Sequence, residues 1–169
     1  MEFKDTIFNR RSNRFLSDEK INDESIDYIL QIAKRAPVAL GRYSDINLLV
    51  IEGETLRRLQ KKFVELNKID NTFGSGLLIV VLHKGMKEDL RNQDAGIIGS
   101  YICLGASDLG LGSVYLHSLV GMMNDDKYIS QELLHIEKPY EVMCAVTVGK
   151  IKDNKVRNVT HDFEVIKFD

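Results

Sequence analysis

Apolar residues recur at helical spacing in two stretches of the chain. The first stretch follows Asn22, a residue type that favours helix N-termini, and stops before Pro37, because proline disfavours helical dihedrals in the residue that precedes it. The second stretch lies beside several basic side chains. A period of three to four residues predicts two amphipathic helices. The apolar positions are Ile26, Ile29, Leu30 and Ala33 in the first helix, and Leu56, Leu59, Phe63 and Leu66 in the second.

Four shorter apolar runs have the length of β-strands. They lie at residues 46–51, 76–82, 113–116 and 141–148. The run at 76–82 is apolar throughout, which is typical of a strand that is buried on both faces. We therefore expect this strand in the centre of a sheet that helices cover on both sides.

The order of these elements sets the expected fold class. Residues 124–134 predict a further, polar-capped helix, and residues 159–168 alternate weakly, as an extended arm or an edge strand does. Helices and strands interleave without a regular βαβ repeat, so the pattern favours an α+β fold with three layers (α/β/α) and a mixed central sheet. No linker or internal repeat divides the chain, and we expect a single domain over residues 1–169.

The longest predicted helix, at residues 92–109, carries small residues at a helical period. Glycine inside a helix costs about 1 kcal/mol relative to alanine, so several glycines on one face indicate a compensating close approach of another helix. The alternative is a weak helix that tolerates glycine. The small residues of this stripe are Gly96, Gly99, Cys103, Ala106 and Gly110.

The overall charge and the cysteine content exclude several classes of function. The 169 residues include 23 Lys and Arg against 25 Asp and Glu, so the net charge of -2 gives no chain-wide positive field for nucleic acid or an anionic membrane. We find neither a signal peptide nor an apolar run near the roughly 18 residues of a membrane span. Cys103 and Cys144 form no metal-binding motif. We expect a cytoplasmic protein with no metal site.

One local cluster of positive charge stands out against this background. The sequence Arg-Arg-Ser-Asn-Arg at residues 10–14, hereafter the arginine segment, lies within a stretch, 6–17, that contains no acidic residue. Guanidinium groups bind phosphate oxygens in a bidentate manner, so the arginine segment predicts a phosphate site. The alternative is a solvated basic turn. A second basic group, at residues 150–157, follows the last predicted strand and is a candidate for the same phosphate.

Motifs that identify common enzyme classes are missing from this sequence. It contains no GxxxxGK[ST] loop, no GxGxxG spacing, no GxSxG elbow and no HExxH pair. The four histidines are scattered, and both cysteines lie in apolar runs, which favours packing or surface roles for all six. If the protein is an enzyme, we expect a bound cofactor to supply its chemistry.

Four short segments occur in a recognisable order. They are the arginine segment, Arg-Ala-Pro at 35–37, the stretch from Asp-Ala-Gly to Gly-Leu-Gly-Ser at 94–113, and Ala-Val-Thr-Val-Gly at 145–149. With this order and spacing, the sequence resembles the FMN-dependent nitroreductase family, over most of the chain. The resemblance implies that family's three-layer fold, and an intertwined homodimer whose long central helices pack together and whose FMN lies at the subunit interface.

The resemblance also implies a set of FMN-binding residues. The arginine segment corresponds to the family's phosphate-binding segment, which a basic residue after the last strand completes. The residues after Pro37 correspond to flavin contacts from the partner subunit. The residues after the Gly-Leu-Gly turn correspond to a stretch that runs along the flavin ring and contacts it through main-chain groups. No catalytic side chain is implied, because the chemistry takes place at flavin N5. The implied cofactor-binding residues are Arg10, Arg11, Ser12, Arg14, Pro37, Val38, Ala39, Gly41, Leu116, His117, and Lys155 or Arg157.

The implied activity is that of an NAD(P)H oxidoreductase. In the family, NADH or NADPH transfers a hydride to flavin N5, and the flavin then reduces a small acceptor such as a nitroaromatic compound or a quinone. Gly41 and Tyr43 stand where the family commonly has amide side chains. This departure keeps two alternatives open: a non-catalytic flavin- or phosphometabolite-binding protein, and a flavin enzyme with another reaction, such as a dehalogenase or a flavin-fragmenting enzyme.

Overall fold

Four β-strands form one sheet in the computed structural model, which describes residues 2–85, 87–152 and 163–168. The strands are β1 (Ile46–Glu52), β2 (Leu77–His83), β3 (Gly112–Leu116) and β4 (Glu141–Gly149). Their order across the sheet is β1-β2-β4-β3, so β2 and β4 are central and β1 and β3 are the edge strands. All four predicted strands are confirmed, and their bounds shift by one residue at most.

Helices cover both faces of this sheet. The α-helices are α1 (Phe3–Asn9), α2 (Asp23–Ala33), α3 (Gly53–Asn67), α4 (Glu88–Asp108) and α5 (Val120–Asp125). Helices α2 and α4 pack on one face, and α3 and α5 pack on the other. Every residue of β2 is buried, and its side chains point alternately into the two cores, with Ile79 in one and Val80 in the other. The predicted central strand and the three-layer arrangement are therefore confirmed.

The predicted mixing of parallel and antiparallel strands is wrong for the described sheet. Each neighbouring pair of strands is antiparallel. The reason lies in the connection between β1 and β2, which starts with α3 at the end of β1. Residues 68–76 then lead the chain back along the helix, so that Leu77 pairs with Glu52 and β2 starts where β1 ends. Among the residues that the structure describes, parallel pairing occurs at one isolated bridge, between Ser12 and Ser113.

Two further predictions need correction or fall partly outside the described residues. The helix predicted at 124–134 is broken: α5 ends at Asp125, Asp126 is extended, and a π-helical turn follows at Tyr128–Leu133. The Asp126 carboxylate accepts the Ile129 N–H at 2.9 Å and thereby caps this second piece. Of the arm or edge strand predicted at 159–168, residues 159–162 lie outside the described residues, and 163–168 form no regular secondary structure.

The small-residue stripe of α4 packs mainly against its own chain. A Cβ on Gly99 would lie 2.6 Å from the Tyr115 ring of β3, so this glycine admits a strand side chain rather than a helix. Helix α2 approaches α4 at Gly105, which lies outside the predicted stripe, where a Cβ would be 3.3 Å from Ile29 Cα. Gly96 faces open space. The expected close helix pair therefore exists within one chain, but at a different glycine.

Gly76 allows the chain that follows the arginine segment to cross the beginning of β2. A Cβ at Gly76 would lie 2.4 Å from the carbonyl oxygen of Glu19 and 3.0 Å from that of Asp18. Both are backbone atoms, so no side-chain rotation relieves the overlap. We expect Gly76→Ala to lower the free energy of unfolding by about 3 kcal/mol, at the upper end of ordinary overpacking penalties, as measured by denaturant unfolding.

Gly121→Ala provides the matched control for this substitution. Gly121 lies in α5, and the nearest atom to its added Cβ would be 3.9 Å away. We expect the control to gain up to about 1 kcal/mol of stability, because alanine favours a helix more than glycine does. If Gly76→Ala were as stable as the wild type, the close contact between Gly76 and the backbone of Asp18 and Glu19 would be contradicted.

Candidate anion and cofactor site

The arginine segment lies along the outer edge of β3. Helix α1 ends at Asn9, and Arg10 continues in an extended conformation. The Asn13 N–H donates to the Ser113 carbonyl at 3.0 Å, and Ser12 bridges the same strand residue. The segment predicted to bind phosphate is therefore fixed to the sheet by main-chain hydrogen bonds, and its side chains are left for other contacts.

Residues that follow the arginine segment anchor it to the end of β4. Leu16 is buried and bridges Ile151, and the Lys152 N–H donates to the Phe15 carbonyl at 3.0 Å. The second basic group thus begins beside the arginine segment. Lys150 forms an ion pair with Glu19, which neutralises it. The two candidates for completing a phosphate site, Lys155 and Arg157, lie outside the described residues.

A hydrogen-bonded cluster holds α1 against the end of α4. The Asp108 carboxylate accepts hydrogen bonds from Thr6 at 2.7 Å and from Tyr28 at 2.5 Å, and the Ser107 hydroxyl donates to the Thr6 carbonyl at 3.0 Å. The hydrogen bond from Tyr28, with the one from Thr6, lowers the pKa of Asp108. The cluster joins α1, α2 and α4, and it fixes the point at which the arginine segment leaves α1.

A cavity of about 250 Å³, hereafter the arginine cavity, opens between the arginine segment and the end of α4. Its lining residues are Asn9, Arg10, Arg11, Asn13, Ser107, Gly110, Leu111, Ser113 and Ile151. Ser12 and Arg14 are exposed and are not part of this lining. Sequence reasoning missed Asn13, although it lies within the segment, and it missed Ser107 and Ser113.

The electrostatics of the arginine cavity favour an anion. The ion pairs formed among the described residues include none with Arg10, Arg11 or Arg14. The cavity lies at the C-terminal end of α4, where the helix dipole disfavours negative charge. Attraction for an anion therefore comes from the guanidinium groups, which bind phosphate and carboxylate oxygens bidentately.

The loop after Pro37 lies at the other end of α4. The Ala39 N–H donates to the Asp94 carboxylate at 2.8 Å, which ties the loop to the first half of that helix. Leu40 and Gly41 both have positive φ, and the Leu40 side chain is 84% exposed. Gly41 thus stands where the backbone favours glycine, which is a local reason for the departure from the usual amide residue.

One chain does not bring this loop and the arginine cavity together. Asp94 and Ser107 are thirteen residues apart on α4, which corresponds to about 20 Å along the helix axis. The predicted phosphate contacts and the predicted ring contacts at 37–41 are thus at opposite ends of the helix. A single ligand touches both sets only if they come from different subunits or if the ligand spans the length of α4.

The end of β3 lies between these two groups of residues. Leu116 is 5% exposed, and its side chain belongs to the core shared with α3 and α5. Because Ser113 directs its carbonyl away from β4, antiparallel alternation directs the main-chain groups of Tyr115, rather than those of Leu116, to the open edge. His117 follows the strand and is exposed. Tyr115 is therefore a candidate contact that sequence reasoning missed.

The two cysteines have the environment of inert thiols. Both are free and buried. Burial raises the pKa of Cys144 to about 12 and also raises the pKa of Cys103, so both thiols stay protonated at neutral pH. The described part of the chain contains no group of three or more His, Cys, Asp or Glu placed to hold a metal ion. Within the same residues, no helix is long and apolar enough to cross a bilayer.

Comparisons with known proteins point to one family. The model of the nitroreductase family matches residues 7–73 and 70–150. An Archaeoglobus fulgidus protein, named as an NADH dehydrogenase/NAD(P)H nitroreductase, is 31% identical over 152 residues, which cover 88% of this chain and 85% of the relative.

Solved structures that resemble this chain are also described as nitroreductases. A Clostridium difficile structure, described as an FMN-dependent nitroreductase, is 29% identical with a TM-score of 0.76, covering 98% of each chain. A Desulfitobacterium hafniense nitroreductase with bound FMN gives a TM-score of 0.79 at 18% identity and covers 99% of each chain. At that lower identity, the likeness concerns the fold.

Proposed function

This chain belongs to the nitroreductase family, and we propose that it is an FMN-dependent oxidoreductase whose electron donor is NADH or NADPH. The observation that carries the proposal is the arginine cavity, in which Arg10 and Arg11 face a space without an ion-pair partner among the described residues. The similar C. difficile protein is described as FMN-dependent, and the similar A. fulgidus protein is named for NAD(P)H. The guanidinium groups that line the cavity suit the phosphate of FMN, because they bind phosphate oxygens bidentately.

The residues of this chain have defined tasks in the proposal. Arg10 and Arg11 bind the FMN phosphate, with support from Ser12 and Arg14 of the same segment and from Lys155 or Arg157 beyond the described residues. When bound, FMN supplies the ring that accepts a hydride and passes electrons on.

The ring contacts come from two parts of the fold. The main-chain groups of Tyr115 at the open edge of β3 and those of the exposed His117 lie along the ring, whereas Leu116, whose side chain is buried in the core, supports this end of the strand. Pro37, Val38, Ala39 and Gly41 contact the ring from the partner subunit. These ring contacts are main-chain and apolar, so they orient the cofactor without taking part in proton transfer.

We propose a small nitroaromatic compound or a quinone as the electron acceptor. The two protonated, buried thiols offer no nucleophile, which favours electron transfer through a cofactor over covalent catalysis by the protein.

We place the enzyme in the cytoplasm, because free cysteines are typical of a reducing compartment.

Steady-state oxidation of NADH and NADPH with each acceptor tests this assignment. Turnover that depends on both FMN and the acceptor supports the proposal. FMN binding without turnover would favour the non-catalytic alternative, for which Gly41 in place of an amide is the specific observation. Loss of halide from a halogenated acceptor, or breakdown of the flavin itself, would identify a different flavin reaction.

We further propose that the enzyme is a homodimer with one FMN at each subunit interface. Several large apolar side chains of the described residues are exposed, and they lie in α1, next to the arginine segment and near residue 168. They include Phe3, Phe8, Phe15, Phe163, Val165, Ile166 and Phe168. The separation of about 20 Å between the arginine cavity and the loop after Pro37 gives a second reason, because a partner chain supplies the missing contacts.

The C-terminal aromatic residues provide a direct test of the dimer. Phe163 and Phe168 are 86% and 91% exposed, so replacing both with serine costs little within a single chain. If the partner covers them, each loses about 2 kcal/mol of burial, and the dimer dissociates at least about 100-fold more readily. Analytical ultracentrifugation measures the change. The control is Val64→Ser on α3, an exposed apolar residue for which we expect no change.

A further inference from the structure

His83 and Asp94 form a buried pair between β2 and α4. His83, the last residue of β2, is 0% exposed, and the Asp94 side chain is 3% exposed. His83 Nε2 lies 3.3 Å from Asp94 Oδ2, and His83 Nδ1 lies 2.8 Å from the Lys84 carbonyl oxygen. None of the binding contacts proposed above uses either side chain.

The partners of His83 require a proton between the two side chains. The Lys84 carbonyl only accepts hydrogen bonds, so Nδ1 carries a proton and donates it. If Nε2 and the carboxylate both lacked a proton, two lone pairs would face each other in a site without water exposure. One proton therefore lies between Nε2 and Oδ2, and the resulting hydrogen bond fixes the orientation of the carboxylate.

The other oxygen of Asp94 holds the loop after Pro37. Asp94 Oδ1 accepts the Ala39 N–H at 2.8 Å. The two residues that follow, Leu40 and Gly41, have φ values of 55° and 64°. A positive φ is unfavourable for a residue such as leucine, so this conformation persists only where neighbouring contacts impose it. Val38 packs against the core that α4 shares with the sheet, and Asp94 adds a hydrogen bond from α4 at the start of this turn.

We propose that Asp94, oriented by His83, is the positioning residue for the loop at residues 38–42. This inference rests on the proposed function in one respect, namely that the loop contacts the flavin of the partner subunit. Asp94 itself touches no ligand in this proposal. It sets the position of the exposed Leu40 and of Gly41, and through them the shape of the space beside the ring.

Three variants separate the geometry of Asp94 from its charge. Asp94→Ala removes the contacts to both His83 and Ala39. Asp94→Asn retains both, because an amide oxygen accepts the Ala39 N–H and an amide N–H donates to a neutral His83 ring. Ala39→Pro removes only the donor. Proline suits the first position of the short 3₁₀ turn at Ala39–Gly41, and the preceding Val38 is already extended.

Amide hydrogen exchange in the flavin-free protein is the first measurement. The Gly41 N–H donates to the Val38 carbonyl and the Arg42 N–H donates to the Ala39 carbonyl, so both amides report on the turn. We expect exchange about tenfold faster in Asp94→Ala and in Ala39→Pro, which corresponds to the loss of one hydrogen bond, and near-wild-type exchange in Asp94→Asn, which retains that bond. Wild-type exchange in Ala39→Pro, or fast exchange in Asp94→Asn, would overturn the proposal.

Kinetics of the FMN-loaded enzyme provide the second measurement. We expect Asp94→Ala and Ala39→Pro to raise the KM of the acceptor about tenfold with a smaller change in kcat, and Asp94→Asn to restore the wild-type KM. Equal loss of kcat in all three variants would contradict a positioning role. If the wild-type protein binds no FMN while the exchange pattern holds, the proposed function fails and the anchoring role of Asp94 stands.

Discussion

Replacing Arg10 and Arg11 together with alanine is expected to weaken FMN binding at least about 100-fold. Both side chains line the arginine cavity, which lies at the unfavourable end of the α4 dipole, so they supply the attraction for a phosphate group. A hydrogen bond to a charged group contributes about 1.5–3 kcal/mol, and the loss of two such bonds corresponds to at least about 3 kcal/mol. Quenching of FMN fluorescence on titration measures the affinity.

A double variant with the same change in net charge controls for the effect of the protein's overall charge on FMN binding. Arg57→Ala with Lys61→Ala removes two positive charges from α3, which lies on the opposite face of the sheet. We expect this control to bind FMN within about twofold of the wild type, because exposed charges beyond a Debye length are largely screened. Equal weakening of FMN binding in both double variants would mean that the cavity is not the anion site.

Arg14→Ala should weaken FMN binding less than the substitution of either cavity arginine, because Arg14 is exposed outside the lining.

Gly112→Ala is expected to displace residues that line the arginine cavity. Gly112 begins β3, and a Cβ there would lie 2.6 Å from Leu16 Cδ2 and 2.9 Å from both Asn13 Cβ and Ile151 Cγ1. These three neighbours tie the arginine segment to the sheet, and Asn13 and Ile151 line the cavity. We expect a loss of about 1–3 kcal/mol of unfolding free energy, together with about a tenfold or larger loss of FMN affinity.

Gly53→Ala separates the effect on the site from the effect on stability. Gly53 begins α3 with a φ of 60°, and nothing lies within 4 Å of an added Cβ. Backbone strain alone is therefore expected to cost about 1 kcal/mol or more, far from the arginine cavity. The two variants should lose comparable stability, measured by denaturant unfolding, while only Gly112→Ala loses affinity. Wild-type affinity in Gly112→Ala would contradict the proposed site.

Local patterns in the sequence were sufficient for the four strands, for α2, α3 and α4, and for the layers, but not for the break between α5 and the π-helical turn that follows it. The unbroken apolar run of β2 predicts burial on both faces, and its side chains do alternate between two cores. The helical period before Pro37 predicts α2, whose N-cap Asn22 accepts the Ser25 N–H at 2.8 Å. These features depend on neighbouring residues, so a short stretch of sequence carries the information.

Features that depend on distant contacts were not predictable in the same way. The antiparallel pairing of β1 and β2 results from the return path of residues 68–76, which have no periodic pattern. The arginine segment is visible as a charge cluster, but Ser107 lies beside it only because α1 packs on the end of α4. Asp94 lies in a segment that carries the family resemblance, and its contacts to His83 and Ala39 span 11 and 55 residues of sequence.

An anaerobic titration of the FMN-loaded protein with NADH and NADPH tests the central claim most directly. The visible absorption of oxidised flavin is followed first during addition of the nicotinamide, and then after addition of a nitroaromatic compound or a quinone. We predict that NADH or NADPH bleaches the flavin band and that the acceptor restores it. A protein that binds no FMN, or bound FMN that stays oxidised with both nicotinamides, would contradict the account.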